Sequence, residues 1–504
     1  MQSICGILHG IQSRAQSNLG FAATTLMLAA MLMPACSEND PFTPPDASEP
    51  NPPVYVWNPA DFTHVYEVGP NLDYSDPSDV PWESLQPSSL VRIHWRSEPY
   101  RAKWVLNSAA TAEAPVVVLG IANGNRLPVI SGEDAVTRLE LSYWNEVRSV
   151  IKVGGSNLPS DSIVPSHIYI QGLEIRSARP PYAFTDDNGL AQNYAENAAA
   201  IHVEVGEHIT IHDCILHDAA NGLFAGSQTT DLVISGNHVF NNGMEGSIYQ
   251  HNSYTECLGI LFEYNHYGPL RNGCLGNNLK DRSAGTVIRY NWIESGNRQL
   301  DLVETDYDYI LADPTYDVTF VYGNILVEPD GAGNSQILHY GGDGGNTNYY
   351  RRGILYFYHN SVISTRDGNT TLMRCSTNDV QVDLRNNIFM NSAEGFRFAI
   401  TSGQGQIELR NNWLPEGWRD THEPELEGTI AKADNIEGED PEFEDFTNQD
   451  FSLGPGSTCL DSAGALPPGV SDHPVTRQYV RHQRTEARED EGASDVGAFE
   501  RQGE

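Results

Sequence analysis

The sequence predicts an all-β solenoid, and three observations predict it. Short apolar strands ending in Asn recur as DLVISGN (Asn237), GILFEYN (Asn265), TVIRYN (Asn291), TFVYGN (Asn324), LYFYHN (Asn360), VDLRNN (Asn387) and IELRNN (Asn412). Their steps of 28, 26, 33, 36, 27 and 25 residues suit coils that bury an inner face only by stacking on their neighbours. Each Asn is followed by another short apolar segment, among them HVF, WIES, ILVEP, SVIST, IFM and WLPEG. A third segment precedes each pair: AIHVEV, GLFAG, SIYQH, NLKDR, QLDLV, ILHY, LMRC and FRFAI. Finally, a chain of 504 residues with 19% charged and 9% aromatic residues, 45 Gly and 29 Pro is neither a disordered polyanion nor a coiled coil.

The Asn positions have a physical reason. Asn tolerates a left-handed backbone, and its amide can hydrogen-bond along a stack of equivalent turns. A β-propeller would instead need antiparallel four-stranded blades at a steadier, longer period. Three strands per coil with a sharp Asn turn resemble the pectate-lyase-like superfamily, which implies a single-stranded, right-handed parallel β-helix. Residues 82–134, with WESL, VRIHWRSEPYRAKWVLN, TAEAPVVVLG and LPVISGEDA, are similar to that superfamily's lead-in region, and FSLGPGSTCLDSAG with SDVGAFE is similar to its closing segment. The organisation expected is a signal peptide (1–35), a tether (36–54), an N-terminal lead-in (55–145), the coils (146–413) and a closing segment (414–504).

The start reads as an export signal. The apolar run from Leu19 to Met33 precedes Pro34-Ala35-Cys36, and its ending resembles the lipobox of bacterial lipoproteins, which implies lipidation of Cys36 and a lipid anchor in the membrane. Ordinary cleavage near Ala35 is the alternative. The stretch SENDPFTPPDASEPNPP (37–53) is too polar and Pro-rich to bury a core and reads as a tether. The bacterial cell envelope, at the outer membrane or cell surface, is the expected location, with secretion as the alternative. Among the remaining cysteines, Cys257 and Cys274 flank a turn and are the best disulfide candidates, while buried free thiols are the equal alternative.

Net charge sets the partner class. With 67 acidic against 30 basic residues the chain carries −37, which excludes a nucleic-acid partner, since phosphate binding needs clustered Lys and Arg. Neither G-x-S-x-G, H-E-x-x-H, a P-loop nor a strand-linked G-x-G-x-x-G is present. The adjacent pair Asp186-Asp187 lies in an irregular stretch, which makes glycoside hydrolysis across two facing carboxylates a third choice. The protein is expected to act as a monomer.

The candidate site follows from strand alternation, residues two apart sharing a face. Placing Ile201, Ile248, Leu279, Leu300 and Leu372 inward puts His202, Glu204, Tyr249, His251, Lys280, Arg282 and Asp301 outward on consecutive coils, with His339, Arg374 and Arg397 continuing the stripe. Asp281 falls inward, an uncomfortable place for a carboxylate. The segment NNLKDRSAGTVIRYN is similar to that of the alginate-lyase and chondroitin-lyase branch, where the Lys matching Lys280 removes the C5 proton of a uronate. The resemblance implies a polysaccharide lyase-like enzyme acting on an acidic glycan by β-elimination, with Lys280 as base, Arg282 lowering its pKa by like-charge repulsion, and His251 or Tyr249 as proton donor. That branch's calcium-holding acids correspond to Leu275 and Gly273 here, and its Arg on the next coil corresponds to Asp301.

Two long loops, 305–317 and 341–353, rim this stripe. Tyr307, Tyr309, Tyr316, Tyr349 and Tyr350 are suited to stack on sugars, Arg298, Arg351, Arg352 and Arg374 to meet carboxylates, and Asp306, Asp308, Asp313 and Asp343 to hold calcium. The class-distinct alternative is a noncatalytic surface β-helix lipoprotein that binds glycan or serves as an adhesin scaffold. A locally basic groove favours the enzyme, and a uniformly acidic side the scaffold.

Overall fold

A computed structural model describes residues 55–155, 163–393, 395, 397–489 and 492–501, all of which belong to one unit spanning 45–504. The signal, Cys36 and the tether lie outside the described residues. Three stacked parallel sheets build the described chain, one strand of each per coil. The first, sheet 1, includes Ser149–Val153, Ser253–Thr255, Leu279–Asp281, Leu300–Leu302, Gln336–Tyr340 and Thr370–Cys375. Sheet 2 runs from His64–Val68 through Leu258–Glu263 and Ala284–Arg289 to Thr429–Ala433. Sheet 3 has 11 strands, from Val129–Ser131 to Ile436–Gly438. This is the parallel β-helix the sequence repeat implied, and parallel crossovers are right-handed almost without exception.

The corners differ in chemistry. Ala199–His212 and Asn221–Ser235 pass from sheet 1 into sheet 2 as continuous strands, with a register shift near Val203 and Val205 instead of a turn. The corner from sheet 2 to sheet 3 is sharp and carries the Asn repeat. Asn237, Asn265, Asn291, Asn324, Asn360, Asn387 and Asn412 are all fully buried. From Asn265 onward each Oδ1 accepts the backbone N–H and the side-chain N–H of the Asn one coil earlier, as from Asn265 at 3.0 and 2.9 Å to Asn291 and from Asn291 at 2.9 and 2.9 Å to Asn324. The amide nitrogen also donates to a strand of the coil before, Asn324 to the Ile288 carbonyl at 3.0 Å. Asn435 extends the ladder one coil beyond the sequence motif.

The left-handed residue is not the Asn itself, as the sequence suggested, but the one before it. Gly236, Tyr264, Tyr290, Gly323, His359, Asn386, Asn411 and Asp434 have φ between 49 and 66°. The turn must be completed before the Asn so that its own N–H points along the stack to the next Oδ1. Tyr264 and Tyr290 accept the strain of that conformation, about 1–2 kcal/mol each, because their rings are buried and stacked at 5.7 Å.

The closing segment lies over this corner. Tyr358 Oη donates to the His473 carbonyl at 2.7 Å, Gln483 Nε2 to Gly236 at 2.8 Å, and Trp292 stacks on Phe451 at 5.5 Å. In SDVGAFE, buried Asp495 accepts the N–H groups of Asp461 and Arg501, and buried Glu500 pairs with Arg488 at 3.0 Å. Cys214, Cys257, Cys375 and Cys459 are buried free thiols, and Cys274 is free and half-buried. Cys257 sits inside the solenoid while Cys274 lies in the loop against Gly243, so the disulfide candidate gives way to the free-thiol alternative.

Replacing Asn324 by Leu leaves the Asn291 backbone N–H unpaired at the centre of the stack, at about 1–3 kcal/mol, and removes one of three acceptors of the Asn291 side-chain amide. Denaturant unfolding should show a loss of at least about 2 kcal/mol for Asn324→Leu and a smaller one for Asn435→Leu, whose site is half-buried. Equal, negligible losses would mean that the ladder does not hold the coils in register.

Candidate active site

Sheet 1 carries an unbroken outward column. Register pairs Lys152 with His202, His202 with Phe224, Phe224 with Tyr254, Tyr254 with Lys280, Lys280 with Asp301, Asp301 with His339, and His339 with Arg374. Their neighbours Ile201, Leu223, Leu279, Leu300, Leu338 and Met373 are buried in the interior. The column from Lys280 to Arg374 is thus the one the alternation predicted, including His339 and Arg374. Arg397 is not part of it, since Met373 pairs with Thr401 and Arg397 precedes that strand.

One rung differs from expectation. Tyr249 and Ile248 are 73% and 56% exposed in a loop, and Tyr254 takes the place given to Tyr249. The strand of that coil begins only at Ser253, because the preceding backbone is turned by bonds from His251 N–H to Asn221 Oδ1 and from Asn242 to Asn252 Oδ1. His251 is buried behind the rung, accepting the Asn277 N–H at Nδ1 (2.9 Å) and meeting the Tyr254 ring edge-on at 5.3 Å. Burial, and then the Lys280 charge, bring its pKa down to about 3, so the imidazole is neutral.

Lys280 lies between two carboxylates, its Nζ 2.7 Å from Asp301 Oδ2 and 3.0 Å from Asp343 Oδ2. Burial pulls its pKa down, but Asp301 and Asp343 more than reverse that and leave it above the ordinary lysine value. The expectation that Arg282 makes this amine a ready base therefore fails in the free protein: Arg282 is itself occupied by Asp306 at 3.0 Å and lies 3.8 Å from Asp343. Tyr254 stands beside both cations, its ring centre 5.9 Å from Lys280 Nζ and 5.8 Å from the Arg282 guanidinium.

Asp301 is the hub. Its Oδ2 accepts from Lys280 and from Asn277 Nδ2 at 2.6 Å, and its Oδ1 meets His339 Nδ1 at 2.9 Å. Burial opposes its charge, but the His339 bond and Lys280 hold its pKa well below the carboxylate range. Desolvation lowers the His339 pKa. On the far side of the imidazole, Nε2 is 2.8 Å from Ser376 Oγ. Arg298 is 9% exposed and donates to Gln336 Oε1 at 2.8 Å, with its Nε unpartnered, and Arg374 is exposed.

Several loop candidates have structural employment. Arg351 is fully buried and donates to the carbonyls of Val303, Tyr316 and Ser283, 3.7 Å from Asp281. It is not available to a substrate. It is also why Asp281 can point inward, where Thr255, Ser283 and Thr286 hydroxyls bond the carboxylate at 2.7, 2.6 and 2.7 Å. Tyr316 is buried, Tyr349 donates to Asp308 at 2.5 Å, and Arg352 is exposed with a bond to the Thr347 carbonyl. Among the described residues no three acids or imidazoles are grouped to hold a metal ion: Asp306 and Asp343 face cations, and Asp313 caps its own loop at Thr315. The calcium expectation gains no site here.

Sequence reasoning missed Tyr254 and Ser376, and it gave Asp343 to calcium instead of to Lys280. The usable signal for Ser376 was its distance along the chain: it lies 37 residues after His339, which lies 38 after Asp301, one coil each time.

No family model matches the chain, and no curated protein matches it. Among solved structures it is similar to an alginate lyase from Paenibacillus sp. str. FPU-7, at 11% identity over 65% of this chain and 92% of that one, TM-score 0.41. It is similar also to a pectate lyase, at 13% identity over 88% and 97%, TM-score 0.43, and to a lacto-N-biosidase from Eubacterium ramulus, at 11% over 74% and 68%, TM-score 0.43. The likeness is one of fold. The chemistry of the site rests on its own residues.

Arg351→Ala strands Asp281 as an unpaired buried charge and should cost about 3–5 kcal/mol in unfolding free energy. Arg352→Ala, one residue away on the surface, should stay within about 0.5 kcal/mol of wild type. Similar costs for the two would refute the inward assignment of Arg351.

Proposed function

We propose that this is an exported carbohydrate-active β-helix protein whose sheet 1 column binds and cleaves an acidic glycan by β-elimination. The observation that carries this reading is the clustering of Lys280, Arg282, Arg298 and Arg374 on one face, within four coils of a chain of net charge −37. A solenoid presents such groups at the rung spacing of about 4.8 Å, in a row suited to a linear polymer. Half-buried Tyr254 and the exposed Tyr307 and Tyr309 supply ring surface beside it.

Elimination at a uronate breaks the C5–H bond, and the partly exposed Asp343 carboxylate beside Lys280 is the base proposed to take that proton. Two needs remain, a cation at the carboxylate as charge develops, and a proton donor at the leaving oxygen. A protonated Lys280 with Arg282 serves the first need. Burial keeps the Tyr254 hydroxyl protonated, which serves the second. Because its acid partners raise the Lys280 pKa, the amine holds its proton throughout neutral pH, and its role is electrostatic instead of basic. The sign separates the roles: a Lys280 base would make the rate climb about tenfold per pH unit between pH 6 and 9, following the free-amine fraction, whereas a Lys280 cation contributes no such slope.

The purified protein, screened against uronate polysaccharides by the ultraviolet absorbance of unsaturated product, should cleave one of them. Lys280→Ala should lower the rate by about 10² or more, and Lys280→Arg should retain a measurable part of it. An inactive Lys280→Arg with a tenfold-per-unit pH slope in wild type would restore Lys280 as base. A second reading, a glycan-binding surface lipoprotein without catalysis, is favoured by the ion pairs that tie Lys280 and Arg282 to Asp301, Asp306 and Asp343. Binding of a uronate polymer without product would establish it.

Attachment through a lipidated Cys36 is part of the same proposal, supported by the apolar run ending at Met33 and the Pro-rich stretch after Cys36. Cys36→Ala should prevent incorporation of labelled fatty acid and shift the protein from the membrane to the soluble fraction. Wild-type chain that takes up no label would show simple secretion instead.

A further inference from the structure

We propose that Ser376, His339 and Asp301 form a nucleophile relay that hydrolyses an ester, a second chemistry on the same column that does not depend on the glycan-cleavage reading. The three come from successive coils. Asp301 lies in Leu300–Leu302, His339 in Gln336–Tyr340, and Ser376 directly after Thr370–Cys375. Ser376 Oγ is 2.8 Å from His339 Nε2, and His339 Nδ1 is 2.9 Å from Asp301 Oδ1, which are the contacts a serine nucleophile, its general base and the base's orienting carboxylate require.

The protonation pattern follows from the partners. Asp301 is an anion bonded by Lys280 and Asn277 at Oδ2, so only Oδ1 faces the imidazole and it accepts the Nδ1–H. The Nε2 lone pair then points at the serine hydroxyl. His339 is 1% exposed and fixed at both nitrogens, while Ser376 is partly exposed, so the base is sheltered and the nucleophile stands at the surface. Ser376 Oγ also accepts the Gly342 N–H at 2.9 Å, and its proton can be donated either to the Gly342 carbonyl at 2.8 Å or to His339 Nε2.

A loop clamp would explain the Gly342 bonds alone. It gives no reason for the desolvated Asp–His pair behind the serine, which a clamp does not need and whose burial is costly. The loop is also fitted to this serine: a Cβ on Gly341 would lie 2.6 Å from Ser376 Cβ and 2.8 Å from Oγ, and its φ is +129°, so only glycine lets the backbone cross here.

In the reaction, Ser376 Oγ forms a bond to the acyl carbon while its proton passes to His339 Nε2, and Asp301 stabilises the imidazolium. The carbonyl electron pair becomes an oxyanion, whose proposed donors are the Gly342 N–H, freed from Ser376 Oγ as the new bond forms, and the Arg374 guanidinium on the rung after His339. Collapse breaks the bond to the alcohol oxygen, which takes the proton from Nε2. Water then repeats the sequence on the acyl-serine, releasing a carboxylic acid and restoring Ser376. The glycine loop crosses close to the serine, which favours a short acyl group, and acetate esters are the class proposed.

The full chain is treated with a fluorophosphonate and digested, and p-nitrophenyl acetate hydrolysis is followed in parallel. A single adduct on the Ser376 peptide is expected, with hydrolysis falling about 10³-fold or more in Ser376→Ala and His339→Gln, and with the melting temperature of Ser376→Ala unchanged. Wild type should hold its full rate down to the ordinary histidine pKa of about 6.5 and lose it only below, because His339 titrates lower than that. Absence of an adduct on Ser376 in wild type, or variants that hydrolyse at the wild-type rate, overturns the proposal. Wild-type labelling decides the matter even if a variant fails to fold. Release of p-nitrophenolate requires no uronate, so this assay and the elimination assay fail or succeed independently.

Discussion

The buried asparagine ladder is the constraint on which the rest of this molecule depends. A parallel β-helix has no hairpins to fix the offset of one strand against the next, and in a strand a one-residue slip turns every side chain to the opposite face. Here each coil's Asn supplies the acceptor for both N–H groups of the coil before it, so a slip anywhere would orphan buried donors. The amide therefore does more than terminate a strand. It sets a common origin from which the sheet 1 strands are counted, although the connections between them differ widely in length.

That common origin makes the site a column. Lys280, Asp301 and His339 are 21 and 38 residues apart, yet each is the same number of strand positions from the interior leucine beside it. The loops absorb the difference in length, and one of them, 341–353, returns over the column, bringing Asp343 onto Lys280 and Gly342 onto Ser376. Rigid coils thus place the cations and the imidazole, and glycine-rich backbone places the groups that modulate them.

The architecture and the central column were legible because both rest on repetition. Asn at coil spacing announces the ladder, and alternation around Leu279 and Leu300 gives the facing of Lys280 and Asp301. What was not legible depends on contacts made across coils. Tyr249 was chosen over Tyr254 because a three-residue strand offers a single alternation, and nothing local shows that Asn221 and Asn242 bend the chain before Ser253. Arg351 resembles its exposed neighbour Arg352 until the inward Asp281 is seen to need a cation. Lys280 looked like an activated amine beside Arg282, since Asp343 arrives from 63 residues away. Ser376 belongs to no local motif and becomes visible only when the chain is cut into coils.

Comparison among the lysines shows how unusual the Lys280 setting is. The chain has four lysines, and Lys103, Lys152 and Lys280 are all buried on sheet 1 strands. Lys103 donates to the carbonyls of Glu146 and Ser149 and lies over the Phe184 and Tyr194 rings at 3.9 and 4.4 Å. Lys152 donates to the Trp144 carbonyl and pairs with Glu204. Both have a backbone carbonyl that no ligand can displace, and for both burial wins and the pKa falls below the ordinary value. Lys280 has carboxylate partners instead, one of them, Asp343, 42% exposed on a glycine loop, and its pKa moves the other way. A buried cation held by an exchangeable carboxylate is a poor structural element, because the pair gains little over an apolar packing of the same volume. It is well suited to exchange that carboxylate for one belonging to a ligand, with Asp301 keeping the charge in place while the exchange occurs.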